Sequence, residues 1–325
     1  MAEVKQSSAA PAAIQAAPMA TAQGRVPWKN VFSVDVEDYF HAESFTDIVQ
    51  RSQWPSYESR VENNTRRLLD LCSEKQVEAT FFVLGWVAER FPALVREIAA
   101  RGHELACHSY WHRLIYKLDP KEFREDTSQA KQAIEQAAGL QVYGYRAPTY
   151  SIVTSSLWAT EILAELGFNY DSSIFPIHHD NYGIPDAPRF PFRIRTASGT
   201  LLEYPIATFL LWGARRFPFG GGGYLRLLPW WYNQLGLRHA QAEGLPVVSY
   251  THPWEVDPQQ PRLNGRLKSR LRHYTNLDKT YTRLEQMLSR GGFTSFRNSG
   301  LAAMAEAADE PTWGDNGSRR SPADR

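Results

Sequence analysis

A parallel α/β fold, with helices packed outside a central sheet, is predicted by three features of the sequence. Apolar runs of strand length alternate with stretches of helical periodicity. Gly and Pro residues punctuate the joins. Clusters of charged and imidazole side chains fall just after the apolar runs, where parallel sheets collect their functional groups.

The elements follow in order. Val31 to Val36 is a short apolar run with β-branched residues and reads as a buried strand. Val61, Thr65, Leu68, Leu69 and Cys72 then recur on one face of a helix. Ala79 to Leu84 reads as a second buried strand. Pro92 opens a helix and Gly102 closes it beyond Leu94, Val95 and Ile98. His103 to Cys107 is the third strand. Asp119 with Glu122 three residues on forms a helix start, which Phe123, Thr127, Ala130, Ile134 and Ala137 continue to Gly139. Val142 to Tyr145 is the fourth strand, and the next helix runs from a Thr154 cap to Gly167. Tyr170 to Ser173, Pro246 to Tyr250 and Phe293 to Phe296 complete the strands. Residues 174–231 break the rhythm with prolines, aromatics and the run Gly220 to Gly223. They read as an insertion carrying hairpins and a flexible loop, not as a second domain. The pattern alone leaves open whether the sheet closes into a barrel.

The chain has 325 residues, enough for one large domain at 28–300. Residues 1–27, rich in Ala, Pro, Gln and Ser, read as a disordered tail lacking the basic start and apolar stretch of a signal peptide. Residues 301–325 read as a polar C-terminal tail. A net charge of +1 gives no field to draw nucleic acid, and no apolar run is long enough for a transmembrane helix. Two cysteines do not make a disulfide scaffold; with the missing signal peptide they place the expectation in the cytoplasm.

Four polar clusters carry the chemistry. Asp35-Val36-Glu37-Asp38 ends the first strand, and three carboxylates there need a cation or an Arg to compensate them. His108 to His112, Arg146 to Tyr150, and His252-Pro253-Trp254-Glu255 follow later strands. Taken singly, each has a bland counterpart: a solvated turn, a chance histidine pair, a structural ion pair, a core histidine. Cys107 shares the apolar face of Leu105 and reads as structural, and the glycine run lacks the Lys and Ser/Thr of a phosphate loop. Together the clusters supply two imidazoles and a carboxylate for a divalent metal with open positions for water. They add a second carboxylate as base, an Arg to keep it ionised, and a further His to protonate a leaving amine.

At these residues the chain resembles the NodB-type polysaccharide deacetylases, carbohydrate esterase family four. The motifs are Ser33-Val34-Asp35-Val36-Glu37-Asp38, His108-Ser109-Tyr110-Trp111-His112, Arg146-Ala147-Pro148, Asp171-Ser172-Ser173 and Ser249-Tyr250-Thr251-His252, in that order. Within the family it is most similar to the branch associated with exosortase (PEP-CTERM) exopolysaccharide loci, through Asp35 to Phe40, His252 to Arg262 and His273 to Leu277. The resemblance implies a distorted (β/α) barrel and hydrolysis of N-acetyl groups on a polysaccharide or oligosaccharide, in exopolysaccharide biosynthesis. It implies Asp35 as base, His108 and His112 as metal ligands, Arg146 as partner of Asp35 and His252 as general acid. Tyr150 and Pro148 fall near the substrate and oxyanion position. The metal is expected to be zinc, with other first-row ions as alternatives. The third ligand is expected to be Asp38, the family's residue type, with Glu37, which strand alternation puts on the face of Asp35, as the alternative. The rival readings are a cyclic-amide hydrolase on the same fold and an inactive member that only binds glycan. The aromatics Tyr182, Phe190, Phe192, Phe209, Trp212, Phe217, Phe219 and Tyr224 suit either a sugar-stacking loop or cover for the barrel.

Overall fold

A computed structural model describes residues 28–211 and 215–303. The tail at 1–27, Trp212 and residues 304–325 lie outside the described residues. Of the tail expected from 301, residues 301–303 are helical and Leu301 is fully buried, so the fold extends slightly past the expected boundary.

The chain runs through β1 (Asn30–Val36), α1 (Val61–Glu74), β2 (Thr80–Val83), α2 (Gly85–Arg90), α3 (Pro92–Ala100), β3 (Glu104–Cys107), α4 (Pro120–Ala138), β4 (Gly144–Tyr145), α5 (Ala159–Glu165) and β5 (Tyr170–Asp171). It continues with β6 (Phe192–Thr196), β7 (Gly199–Glu203), β8 (Thr208–Leu211), β9 (Arg215–Pro218), α6 (Gly222–Leu227), α7 (Trp230–Glu243), β10 (Val248–Thr251), α8 (Leu267–Tyr274), α9 (Leu277–Leu288) and β11 (Phe293–Thr294). The sheet order is β10-β1-β2-β3-β4-β5-β7-β6, with β11 also paired to β1. All neighbours are parallel except the β6–β7 hairpin.

The sheet curls on itself. Beyond β7, the Ala207 N–H donates to the Val248 carbonyl of β10 at 3.3 Å, so the chain leaving β7 bridges back to the strand at the opposite edge of the sheet. Strand alternation sorts the side chains between two apolar layers. Phe32, Val34, Phe81, Val83, Leu105 and Cys107 face the helices. Val31, Phe82 and Ala106 point inward, where they meet Tyr170, Tyr204, Tyr250 and Phe296. Cys107 thus shares its face with Leu105, and burial pushes its thiol pKa upward.

Most helix starts and stops obey their sequence signals. Asp119 and Glu122 satisfy each other's backbone N–H groups at 2.8 and 3.0 Å, and Gly139 ends α4 at φ 68°. Thr154 does not cap α5: it opens a 3-10 turn, and the Ser156 hydroxyl accepts from the Val153 N–H ahead of it. The larger departure is in 174–231. That stretch is no mere insertion, because β7 is a strand of the main sheet, parallel to β5. The glycine run opens α6, and Gly221 and Gly222 lie so close to the Tyr250 ring that a Cβ at either would clash. Tyr182, Phe192, Phe209 and Phe219 are buried in the two apolar layers, which is cover for the barrel and not an open stacking surface.

Candidate active site and metal centre

The polar clusters gather at the C-terminal ends of the parallel strands, as the alternation of strand and loop requires. Asp35 and Glu37 come from the end of β1, His108 and His112 from the turn after β3, Arg146 from the residue after β4, and His252 from the residue after β10. All but His252 are almost wholly buried.

Asp35 points into the barrel and receives Arg146 Nη1 at 2.7 Å. The same nitrogen donates to Ser33 Oγ at 2.8 Å, while Nε and Nη2 bond the Ser172 carbonyl and hydroxyl at 3.1 and 3.0 Å. The guanidinium lies 4.1 Å from the Phe82 ring centre. Burial acts to lower the Arg146 pKa, but Asp35, first among the groups that oppose it, helps turn the net shift upward, so the guanidinium keeps its charge.

Glu37, His108 and His112 can each present one ligand atom with all three atoms within 4.8 Å of one another. His112 Nε2 stands 2.8 Å from Glu37 Oε2, yet Glu37 Oε2 and His112 Nδ1 are buried without a hydrogen-bond partner. His108 Nδ1 lies 2.8 Å from the Arg146 carbonyl, which orients the ring and leaves Nε2 for the cluster. Burial lowers the His108 pKa to about 4, so the ring is neutral at pH 7 as a ligand must be. Burial would raise the Glu37 carboxyl, but His112, His252 and His108 outweigh it and hold it well below the usual carboxylate range. A His₂-carboxylate set with orphaned buried atoms fits a divalent cation.

The expectation that Asp38 completes this set is corrected. Its carboxylate turns away from the histidines and accepts from Ser59 Oγ at 2.5 Å, the Arg60 N–H at 2.9 Å and the Val61 N–H at 3.3 Å, at the start of α1. Burial raises its pKa to about 6 against the pull of those donors. Glu37, the alternative, sits with the histidines.

The histidine turn is strained and anchored. Ser109 and His112 have φ of 62° and 49°, a region that side chains other than glycine rarely occupy. Buried Asp126 of α4 holds the turn by accepting from the Tyr110 N–H at 2.7 Å and the Trp111 N–H at 3.3 Å. Asp126 carried no signal in the sequence, because its target lies in another element.

His252 faces both carboxylates: Nε2 is 3.8 Å from Asp35 Oδ2 and 3.8 Å from Glu37 Oε1. On its other side Nδ1 is 3.4 Å from Glu255 Oε2. Buried Glu255 also meets Arg226 Nε of α6 at 3.2 Å and Thr251 Oγ1 at 3.1 Å. Burial lowers the His252 pKa, but Glu255, Glu37 and Asp35 reverse that and hold it at about 9. In the sequence Glu255 is marked only by its spacing of three from His252. Trp254 stacks on His252 and donates Nε1 to Glu37 Oε1 at 3.1 Å.

Tyr150 and Pro148 lie in a 3-10 turn beside Arg146, with Tyr150 at φ 54°. The Tyr150 N–H already donates to the Ala147 carbonyl at 3.1 Å, and its ring packs among Tyr250, Phe175 and Tyr182. A substrate oxyanion would have to compete for that N–H. Asp171 of the later motif pairs in register with Glu203.

Residues 50–170 match the family "Polysaccharide deacetylase", and residues 172–300 match a domain of unknown function, DUF3473. A peptidoglycan-N-acetylglucosamine deacetylase of Bacillus cereus is 36% identical over 98 residues, which are 30% of this chain and 36% of that protein. A chitooligosaccharide deacetylase of a Bradyrhizobium species is 32% identical over 102 residues, 31% of this chain and 47% of that protein. The chain thus matches less than half the length of these relatives. Among solved structures, a putative polysaccharide deacetylase from Mycobacterium smegmatis aligns with a TM-score of 0.55 at 22% identity, covering 90% of this chain and 93% of that one. An allantoinase, Puue, aligns at 0.53 with 16% identity, covering 87% and 91%. These two share the fold. Residues 50–170 thus carry the likeness to polysaccharide deacetylases, in agreement with the sequence resemblance to the NodB type, and residues 172–300 carry the likeness to DUF3473.

Proposed function

We propose that the protein is a metal-dependent hydrolase that removes N-acetyl groups from a polysaccharide or oligosaccharide. The observation that carries this reading is one side-chain cluster that joins an Arg-paired carboxylate, two histidines and a carboxylate able to hold a metal, and an opposed histidine. Glu37, His108 and His112 would hold the ion; zinc suits the donor set, and other first-row metals are alternatives. A bound divalent cation supplies a Lewis acid and an acidified water at neutral pH. Asp35, paired with Arg146, takes the proton from the attacking water. His252, protonated at neutral pH and backed by Glu255, faces that carboxylate and gives a proton to the departing amine, which cannot leave as an anion. The deacetylase relatives direct the reading to N-acetylglucosamine-containing polymers, and the sequence resemblance directs it to exopolysaccharide synthesis.

Acetate release from defined N-acetylglucosamine oligomers by the metal-replete protein tests this. Hydrolysis should stop on chelation and return with zinc or another first-row ion, and Asp35→Asn should lose roughly 10²–10⁴-fold in rate with metal retained. Full activity in a rigorously metal-free sample refutes the metal's part. Turnover of a cyclic amide with no acetate from any glycan favours the cyclic-amide reading instead.

A further inference from the structure

The strongest unexplained feature outside the site is the outer face of α8 and the segment leading into it. Between Arg262 and Arg272 the sequence reads R-L-N-G-R-L-K-S-R-L-R, five cations and no acid. Arg262, Arg266, Lys268, Arg270 and Arg272 are all exposed. Leu267 and Leu271, one helical turn apart, are 70% and 59% exposed, so they share an outward face. Ile48, 41% exposed, lies beside the segment leading into α8: a Cβ on Gly265 would lie 3.6 Å from its side chain. Arg266 meets Asp47 at 3.2 Å, and the other four cations have no carboxylate partner among the described residues. The inner face is built differently. His273 is buried, stacks on Trp254 with ring centres 4.0 Å apart, and through it abuts His252.

We propose that α8, with Ile48 and the Arg262–Arg266 segment, is a docking surface for an anionic phospholipid bilayer. A surface of alternating cations and bare leucines matches both layers such a bilayer presents, phosphate at the surface and acyl chain beneath it. The cations supply long-range attraction, and Leu267, Leu271 and Ile48 supply the apolar insertion. An acidic polysaccharide would use the cations and leave the leucines in water, so the paired exposed leucines favour lipid. Docking there sets the candidate active site two stacked rings from the membrane-bound face.

Co-sedimentation of the full chain with phosphatidylcholine vesicles, with and without phosphatidylglycerol, tests the proposal. The protein should pellet with the anionic vesicles and be released by salt. Leu267→Ser/Leu271→Ser and Lys268→Glu/Arg270→Glu should each weaken binding by roughly tenfold or more. Acetate release from a soluble oligomer should be unchanged in both variants, whose substitutions touch only the outer face. Equal binding to neutral vesicles, binding indifferent to both variants, retention by an acidic polysaccharide but not by vesicles, or a dimer lost in the leucine variant without vesicle binding would each overturn it.

Discussion

Glu37 continues the alternation of β1 one step past its last residue, so it emerges on the same side as Asp35. That direction was readable from the spacing of Asp35 and Glu37 alone. What the spacing could not disclose was the fate of Asp38, because Ser59, Arg60 and Val61 reach it across 21 to 23 residues of chain. The family's preference for Asp pointed to the wrong neighbour for that reason. The two carboxylates should separate cleanly on mutation. Glu37→Gln is expected to lose bound metal while staying folded; Asp38→Ala is expected to keep metal and lose about 1–3 kcal/mol of stability through stranded N–H donors at the start of α1. Metal content and thermal melting of both variants check this, and metal loss confined to the Asp38 variant would reverse the assignment. His252 admits a similar separation. His252→Ala should cripple release of acetate from an N-acetyl sugar and largely spare hydrolysis of an activated aryl acetate, whose leaving group needs no proton. A histidine that merely fills space would destabilise the protein and slow both substrates together.

At the scale of elements, the seam between β5 and β7 holds a buried acid pair. Register sets Asp171 opposite Glu203, and both are fully buried. Burial raises Asp171 to about 6, and burial together with Asp171 raises Glu203 well above its ordinary value, so the pair retains a proton at neutral pH. Asp171 also accepts from Ser173 Oγ, which accepts from the Ala147 N–H, so the pair steadies the backbone that carries Arg146. Both folded values lie above the unfolded ones of 3.8 and 4.5. The stability tied to the shared proton is therefore complete below pH 4 or so and is lost as pH climbs through 6 and beyond. Glu203→Gln keeps a neutral hydrogen-bonding partner and removes that titration. Melting temperature followed from pH 5 to pH 9 should fall more steeply in the parent than in Glu203→Gln, with the variant the more stable at the alkaline end. Parallel curves would show that the pair holds no excess proton. β7 was illegible beforehand for a related reason: Thr-Leu-Leu-Glu carries no strand alternation of its own, and its partner is β5, not a sequence neighbour. The long elements, by contrast, announced themselves through periodicity and local caps, as in α1 and α4.

On the scale of the whole molecule, the two family regions split the sequence after β1, which precedes both, but not the fold. Their boundary, between residues 170 and 172, falls at the end of the two-residue strand β5. The polysaccharide deacetylase region supplies β2, β3, β4 and both histidines of the candidate metal site. The DUF3473 region supplies β7, β10 and β11, together with His252, Glu255 and Arg226. Four consecutive residues of β1 pair with β10, and the inner layer relies on Tyr204, Tyr250 and Phe296 from the same region. Removing everything after Asp171 would strip β1 of that edge and open the inner layer to water. It would also leave Asp35 without the Ser172 contacts that fix Arg146. Such a truncated chain should show no cooperative thermal transition and fast amide exchange throughout β1, because the buried apolar layer and the strand pairing fail together. A chain ending at residue 300 should melt cooperatively with the full protein, apart from the small contribution of buried Leu301. If the fragment ending at Asp171 instead unfolds as a cooperative unit and binds metal, the deacetylase region is an autonomous domain, and DUF3473 is an addition to the barrel and not its completion.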